Sequence, residues 1–179
     1  MLFLIAAVIL IGALCTLDLV LTLGVVKRLR EHTEMLAKAS GPSVISVGEE
    51  IGDFTAATVD DEPLSRELLG HDTIVAFFSP SCRPCQEKLP AFVEYARGLP
   101  GGRAQGLAVV AGDADEAAAF VAELGPVVRV VVEGAEGPVG TAFQVNAYPT
   151  VLRVSPDDAG RIVVTANQVA LDRPTTMAA

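Results

Sequence analysis

Hydrophobic positions divide this chain into one long apolar run and a series of shorter ones. Leu2 to Val26 is mainly apolar over 25 residues, broken by Thr16, Asp18 and Thr22, and exceeds the roughly 20 residues that cross a bilayer as a helix. The expectation is an uncleaved transmembrane anchor at residues 1–26. A cleaved signal peptide, cut near Ala37-Lys38-Ala39, fits less well. No Lys or Arg precedes the run, and a signal's apolar region covers only about 7–15 residues. Asp18 either pairs with a partner helix or sits off-centre, within reach of water and head groups.

Beyond the anchor, Lys27 to Ala39 carries good helix formers and reads as a solvated spacer. Ser40-Gly41-Pro42-Ser43 is a cluster of chain breakers. The expected organisation is a juxtamembrane spacer and linker over residues 27–47 and a folded domain over residues 48–179. Val44 to Val59 reads as extended, Asp60-Asp61-Glu62-Pro63 as a turn and Leu64 to Leu69 as a short helix. Ile74 to Phe78 and Gly106 to Ala111 are unbroken apolar runs of strand length, the pattern of strands covered on both faces. Gln86 to Arg97 and Ala114 to Leu124 have helical patterning, the second with Asp113 as N-cap and Gly125 at its end. Val127 to Val132 is a further strand. Strand, helix, strand at this spacing implies a right-handed crossover and a parallel sheet, hence an α/β fold. Pro138 to Val145 predicts a short helix. Thr150 to Val154 and Arg161 to Thr165 alternate like an antiparallel hairpin around Pro156-Asp157-Asp158-Ala159-Gly160.

The chain's 179 residues carry a net charge of −9, and the charge narrows the range of partners. From Ser40 onward nine Lys and Arg stand against nineteen Asp and Glu, a net charge near −10. Such a domain repels nucleic acid and anionic lipid. Lys27, Arg28 and Arg30 directly after the apolar run would hold everything that follows in the cytoplasm under the positive-inside rule.

The candidate chemistry is Cys82-Arg83-Pro84-Cys85, which opens the Gln86–Arg97 helix straight after the Ile74–Phe78 strand and Ser79-Pro80-Ser81. A cysteine at a helix N-terminus faces unpaired N–H groups and partial positive charge. Arg83 adds a full charge, and both favour the thiolate that attacks disulfides. Cys85, one turn on, is placed to close a disulfide with Cys82 or to resolve a mixed disulfide formed there. Pro84 is tolerated in a first turn, and Pro90 should kink the helix. A zinc site needs about four ligands, and the rest of the chain offers only Cys15, His32 and His71. A peroxidase-type cysteine is another possibility, because Ser79 stands three residues before Cys82, but Val75 occupies the place where such enzymes usually carry proline.

From about Gly48 to Ile162 the chain resembles the TlpA/ResA-like branch of the thioredoxin superfamily, membrane-anchored thiol–disulfide oxidoreductases. With its anchor included, the chain is similar to the thioredoxin-like accessory proteins of methylamine utilisation. Gly52-Asp53-Phe54-Thr55, Phe77-Phe78-Ser79 to Cys85, Leu89-Pro90 and Asn146-Ala147-Tyr148-Pro149-Thr150 carry the likeness in family order. It implies a thioredoxin-like fold, a central mixed sheet flanked by helices, behind an N-terminal transmembrane helix. It also implies a cis bond before Pro149, a substrate contact by Tyr148 and Pro149 beside Arg83 and Pro84, and a domain on the extracytoplasmic side, against the positive flank. Two departures stand out. Ser81 occupies the place of the family's Trp, and Ala76 the place of the buried Asp of thioredoxins.

The leading expectation is a single-pass membrane protein that exchanges disulfides with protein thiol clients. Cys82 and Cys85 are its catalytic residues, and a membrane electron donor is a candidate partner. No metal or organic cofactor is required beyond the Cys82–Cys85 redox disulfide. The alternatives are a thioredoxin-fold binding or assembly module with little redox turnover, and a thiol peroxidase.

Overall fold

A computed structural model describes Gly12, residues 44–167 and residues 169–171. The chain divides into two compact units, Met1–Pro42 and Ser43–Ala179. The expected anchor over residues 1–26 lies, Gly12 apart, outside the described residues. Among the described residues no helix is long and apolar enough to cross a membrane.

The second unit is built on a five-stranded sheet in the order β5-β4-β3-β6-β7. Its strands are β3 (Thr73–Phe78), β4 (Gly106–Ala111), β5 (Arg129–Glu133), β6 (Thr150–Pro156) and β7 (Ile162–Ala166). β3, β4 and β5 run parallel, and β6 and β7 join antiparallel, so the sheet is mixed. β3 lies at the centre, and all six of its residues are buried, which is why its sequence is an unbroken apolar run rather than an alternating one. Alternation along it supplies two core layers. Ile74, Ala76 and Phe78 face a layer with Cys85, Leu89, Phe92 and Phe120. Val75 and Phe77 face the other, with Ile51, Phe54 and Phe143. The Phe78 ring meets Phe92 edge-on at 5.4 Å and Phe120 at 6.0 Å. Phe77 meets Phe143 at 5.3 Å.

Two helices complete the first layer: α1 (Arg83–Arg97) and α2 (Ala114–Leu124). Asp113 caps α2 by accepting the Glu116 N–H, as its sequence predicts. α1 carries Pro90 within its length and buries Cys85, Leu89, Phe92, Val93, Tyr95 and Ala96 on one side. A short third helix, α3 (Pro138–Ala142), lies in the other layer, where Val139 and Ala142 are buried. Gly106, which opens β4, has no room for a side chain. A Cβ there would come within 2.2 Å of Val128 Cγ1.

Three local expectations change. The helix expected at Leu64–Leu69 is instead strand β2 (Pro63–Ser65), paired antiparallel with β1 (Thr55–Ala57), followed by one 3-10 turn at Arg66–Leu68. Tertiary bonds override helix propensity there, since Arg66 reaches across to Glu50 (3.0 Å), Asp53 (2.7 Å) and the Ile51 carbonyl (3.3 Å). The extended reading of Val44–Val59 holds as strand only at Thr55–Ala57, with a single bridge from Glu50 to Val163. The strand expected from Val127 begins at Arg129, because the Val127 and Val128 N–H groups close the end of α2 on the Leu124 carbonyl.

Candidate functional site

The parallel strands β3, β4 and β5 all finish at the same end of the sheet. β3 ends at Phe78, and the chain turns through Ser79-Pro80-Ser81 into α1. The turn is closed by the Cys82 N–H on the Ser79 carbonyl (3.1 Å) and by Gln86 Nε2 on the Pro80 carbonyl (2.8 Å). Cys82 is the N-cap of α1, with extended backbone. Its side chain caps nothing; the thiol is directed instead at the Tyr148 carbonyl oxygen, 3.5 Å away.

Cys85 lies in the first turn of the helix and is fully buried beneath Cys82. Its sulfur accepts the Ser79 N–H at 3.5 Å. Burial, and then its hydrogen bond with Cys82, push the Cys85 thiol up to about 12, against the opposing pull of the Ser79 amide and Lys88. Both cysteines are free thiols. The pair therefore has one partly exposed sulfur and one buried sulfur that holds its proton at neutral pH.

Tyr148 and Pro149 are joined by a cis peptide bond. The loop is tied down by Thr150 Oγ1 donating to the Ala147 carbonyl (2.7 Å). The Tyr148 ring is half-buried and packs against both core layers. Burial, then the charges of Glu133 and Cys85, hold its phenol above the usual range. The structure thus brings Cys82, Cys85 and the Tyr148–Pro149 loop together. Arg83 and Pro84 are exposed beside them. The Arg83 guanidinium pairs along the helix with Glu87 at 3.0 Å. Ala76 is completely buried in the layer that holds Cys85. Among the described residues no group of three or more His, Cys, Asp or Glu is placed to hold a metal ion.

The sequence reading did not single out Glu133. It closes β5 and sends its carboxylate back to the N–H groups of Val139 (3.0 Å) and Gly140 (2.7 Å). Burial raises its carboxyl above the ordinary range, and these two N–H bonds oppose the rise. The available signal was an acid ending an apolar strand and followed by Gly134-Ala135-Glu136-Gly137-Pro138.

Residues 47–164 match the AhpC/TSA family. The chain belongs to the AhpC/TSA family. Its fold, as the solved structures show, is thioredoxin-like. The thioredoxin domain of a thiol-disulfide oxidoreductase from Bacteroides vulgatus superposes with a TM-score of 0.55 at 15% identity, over 70% of this chain and 89% of that one. The structure of MTB dsbF in mixed oxidised and reduced forms gives 0.52 at 24% identity, over 66% and 87%. A secreted Mycobacterium tuberculosis disulfide oxidoreductase gives 0.53 at 18% identity, over 66% and 89%. Among curated proteins none matches this AhpC/TSA chain.

Proposed function

We propose that this protein is a thiol–disulfide oxidoreductase of the TlpA/ResA-like type, anchored by residues 1–26 and acting on protein cysteines. The observation that carries the reading is the pairing of a reachable Cys82 thiol, set against the Tyr148 carbonyl, with a buried, protonated Cys85 behind it.

Reduction of a client proceeds in two steps. The Cys82 sulfur, as thiolate, attacks one sulfur of the client disulfide. A Cys82–client disulfide forms, and the client's other sulfur leaves as thiolate and takes a proton. Cys85 then gives up its proton and attacks the Cys82 sulfur. The second client sulfur leaves, and the protein carries a Cys82–Cys85 disulfide after passing two electrons to the client. Run backwards, the same steps oxidise a client dithiol. The Tyr148–Pro149 edge offers backbone groups against which an extended client segment can lie. The domain is read as extracytoplasmic, with a membrane electron donor as partner.

A second reading, a binding or assembly module with slow redox turnover, draws on one observation. Ala76 places no proton acceptor in the core layer behind a Cys85 thiol pushed up to about 12, so resolution of a mixed disulfide is slow. Full-length Cys85→Ser in membranes separates the two. Accumulation of clients joined to Cys82 supports the oxidoreductase. Unchanged client redox state in both Cys82→Ser and Cys85→Ser cells leaves the binding module.

A further inference from the structure

A five-residue helix is too short to hold its own position by helical bonds, and the first N–H groups of α3 have no partner within it. Glu133 supplies that partner. Its Oε2 accepts from Val139 N (3.0 Å) and its Oε1 from Gly140 N (2.7 Å), so one carboxylate pins the start of α3 to the end of β5. The carboxylate lies directly over Gly137, where a Cβ would stand only 2.3 Å from Glu133 Cδ.

The far end of α3 carries the constraint onward. The Gly140 carbonyl accepts the Val145 N–H (2.9 Å), and the Thr141 carbonyl accepts the Gln144 N–H (3.0 Å). Gln144 has left-handed backbone, φ 52°, and the three features together make a Schellman turn that reverses the chain. Three residues after Val145 comes Tyr148, whose carbonyl oxygen accepts from Cys82 at 3.5 Å. A run of backbone bonds and one short loop therefore lead from a half-buried carboxylate to the Cys82 thiol. The charge of Glu133 is also one of the causes that raise the Tyr148 phenol, after burial.

We propose that Glu133 is a positioning residue of the cysteine site, the clamp that fixes α3 and, through it, the Tyr148–Pro149 edge against Cys82. The site's role rests on the oxidoreductase reading above; the clamp itself does not. Two full-length variants test it. Glu133→Gln keeps one acceptor and sets an N–H₂ against the other backbone N–H. Gly137→Ala keeps the charge and drives the carboxylate off its partners, while φ −67° at residue 137 admits alanine. The atoms a Cβ would displace, Cγ, Cδ and Oε2 of Glu133, all belong to one rotatable side chain and none to the backbone, so the side chain turns away and the fold survives the change.

Amide hydrogen exchange comes first. Val139, Gly140 and Val145 should exchange about tenfold faster in both variants, with β3 amides unchanged. Wild-type protection at these three positions in both variants overturns the clamp. The second readout compares kcat/KM for an extended peptide disulfide with that for hydroxyethyl disulfide, which offers no backbone to dock. The ratio should fall about tenfold in both variants, since a misplaced docking edge costs rate through geometry. A role in stability alone lowers both constants together and leaves the ratio fixed, which also overturns the proposal. If the wild type exchanges with neither disulfide, the oxidoreductase reading fails, and the amide measurement still decides the clamp.

Discussion

The Cys82 thiol and the Tyr148 carbonyl oxygen stand 3.5 Å apart across 66 residues of sequence. This relationship gives the cysteine pair a direction. Cys82 faces the partly exposed Tyr148–Pro149 loop, and Cys85 sits behind it in the core.

The two thiols should therefore react unequally. At pH 7.5 iodoacetamide is expected to modify Cys82 at least about a hundredfold faster than Cys85, because alkylation needs an accessible thiolate. Peptide mapping by mass spectrometry at successive times reads the two rates. Equal rates would mean that Cys85 is neither buried nor held protonated.

Reduced protein should lose stability in alkali through Cys85. Its thiol is raised to about 12 in the fold, whereas an unfolded cysteine ionises near about 8.5. The folded state thus keeps a proton that the unfolded state releases. The contribution is complete below about pH 8.5 and is lost as pH rises towards about 12. Urea midpoints of the reduced protein should fall across that range more steeply than those of Cys85→Ala. Parallel curves for the two proteins would remove Cys85 as the cause.

Ala76→Asp introduces a carboxyl at a fully buried position in the layer that holds Cys85. It should cost about 3 kcal/mol of stability, read as a lowered denaturant midpoint. It should also speed resolution of the Cys82 mixed disulfide by supplying a proton acceptor. Lost stability without a gain in rate would show that proton removal from Cys85 does not limit turnover.

Phe92→Ala should destabilise the domain by about 3–5 kcal/mol, the usual cost of emptying an aromatic site in a packed core. Phe92 is completely buried and meets the Phe78 ring at 5.4 Å. Chemical denaturation with an unchanged m-value checks this. A loss below about 1 kcal/mol would mean that the layer between β3 and α1 collapses to fill the space.

Much of the fold was legible because its signals are local. The unbroken Ile74–Phe78 run marked a strand, which the structure extends by one residue to Thr73–Phe78 and buries throughout. Asp113 marked the start of α2, and the breakers around Asp157 and Gly160 marked the β6–β7 hairpin. Leu64–Leu69 misled because its helix-forming residues are held by partners at Glu50, Asp53 and Ala56, which no window around them contains. Glu133 was missed for the same reason: an acid after an apolar strand looks like an ordinary solvated strand end until α3 folds back over it.

The sequence by itself determined the α/β alternation, the strand–turn–helix setting of Cys82 and Cys85, and the acidity of the domain. These follow from periodicity, chain breakers and charge, which act over a few residues. Only the tertiary structure decided which sulfur is reachable, that the Tyr148 carbonyl lies against it, and that Glu133 stands behind the loop. Those are contacts between segments far apart in the chain, and their energies come from burial and hydrogen bonds that exist only once the sheet has set β3, β5 and β6 in their places.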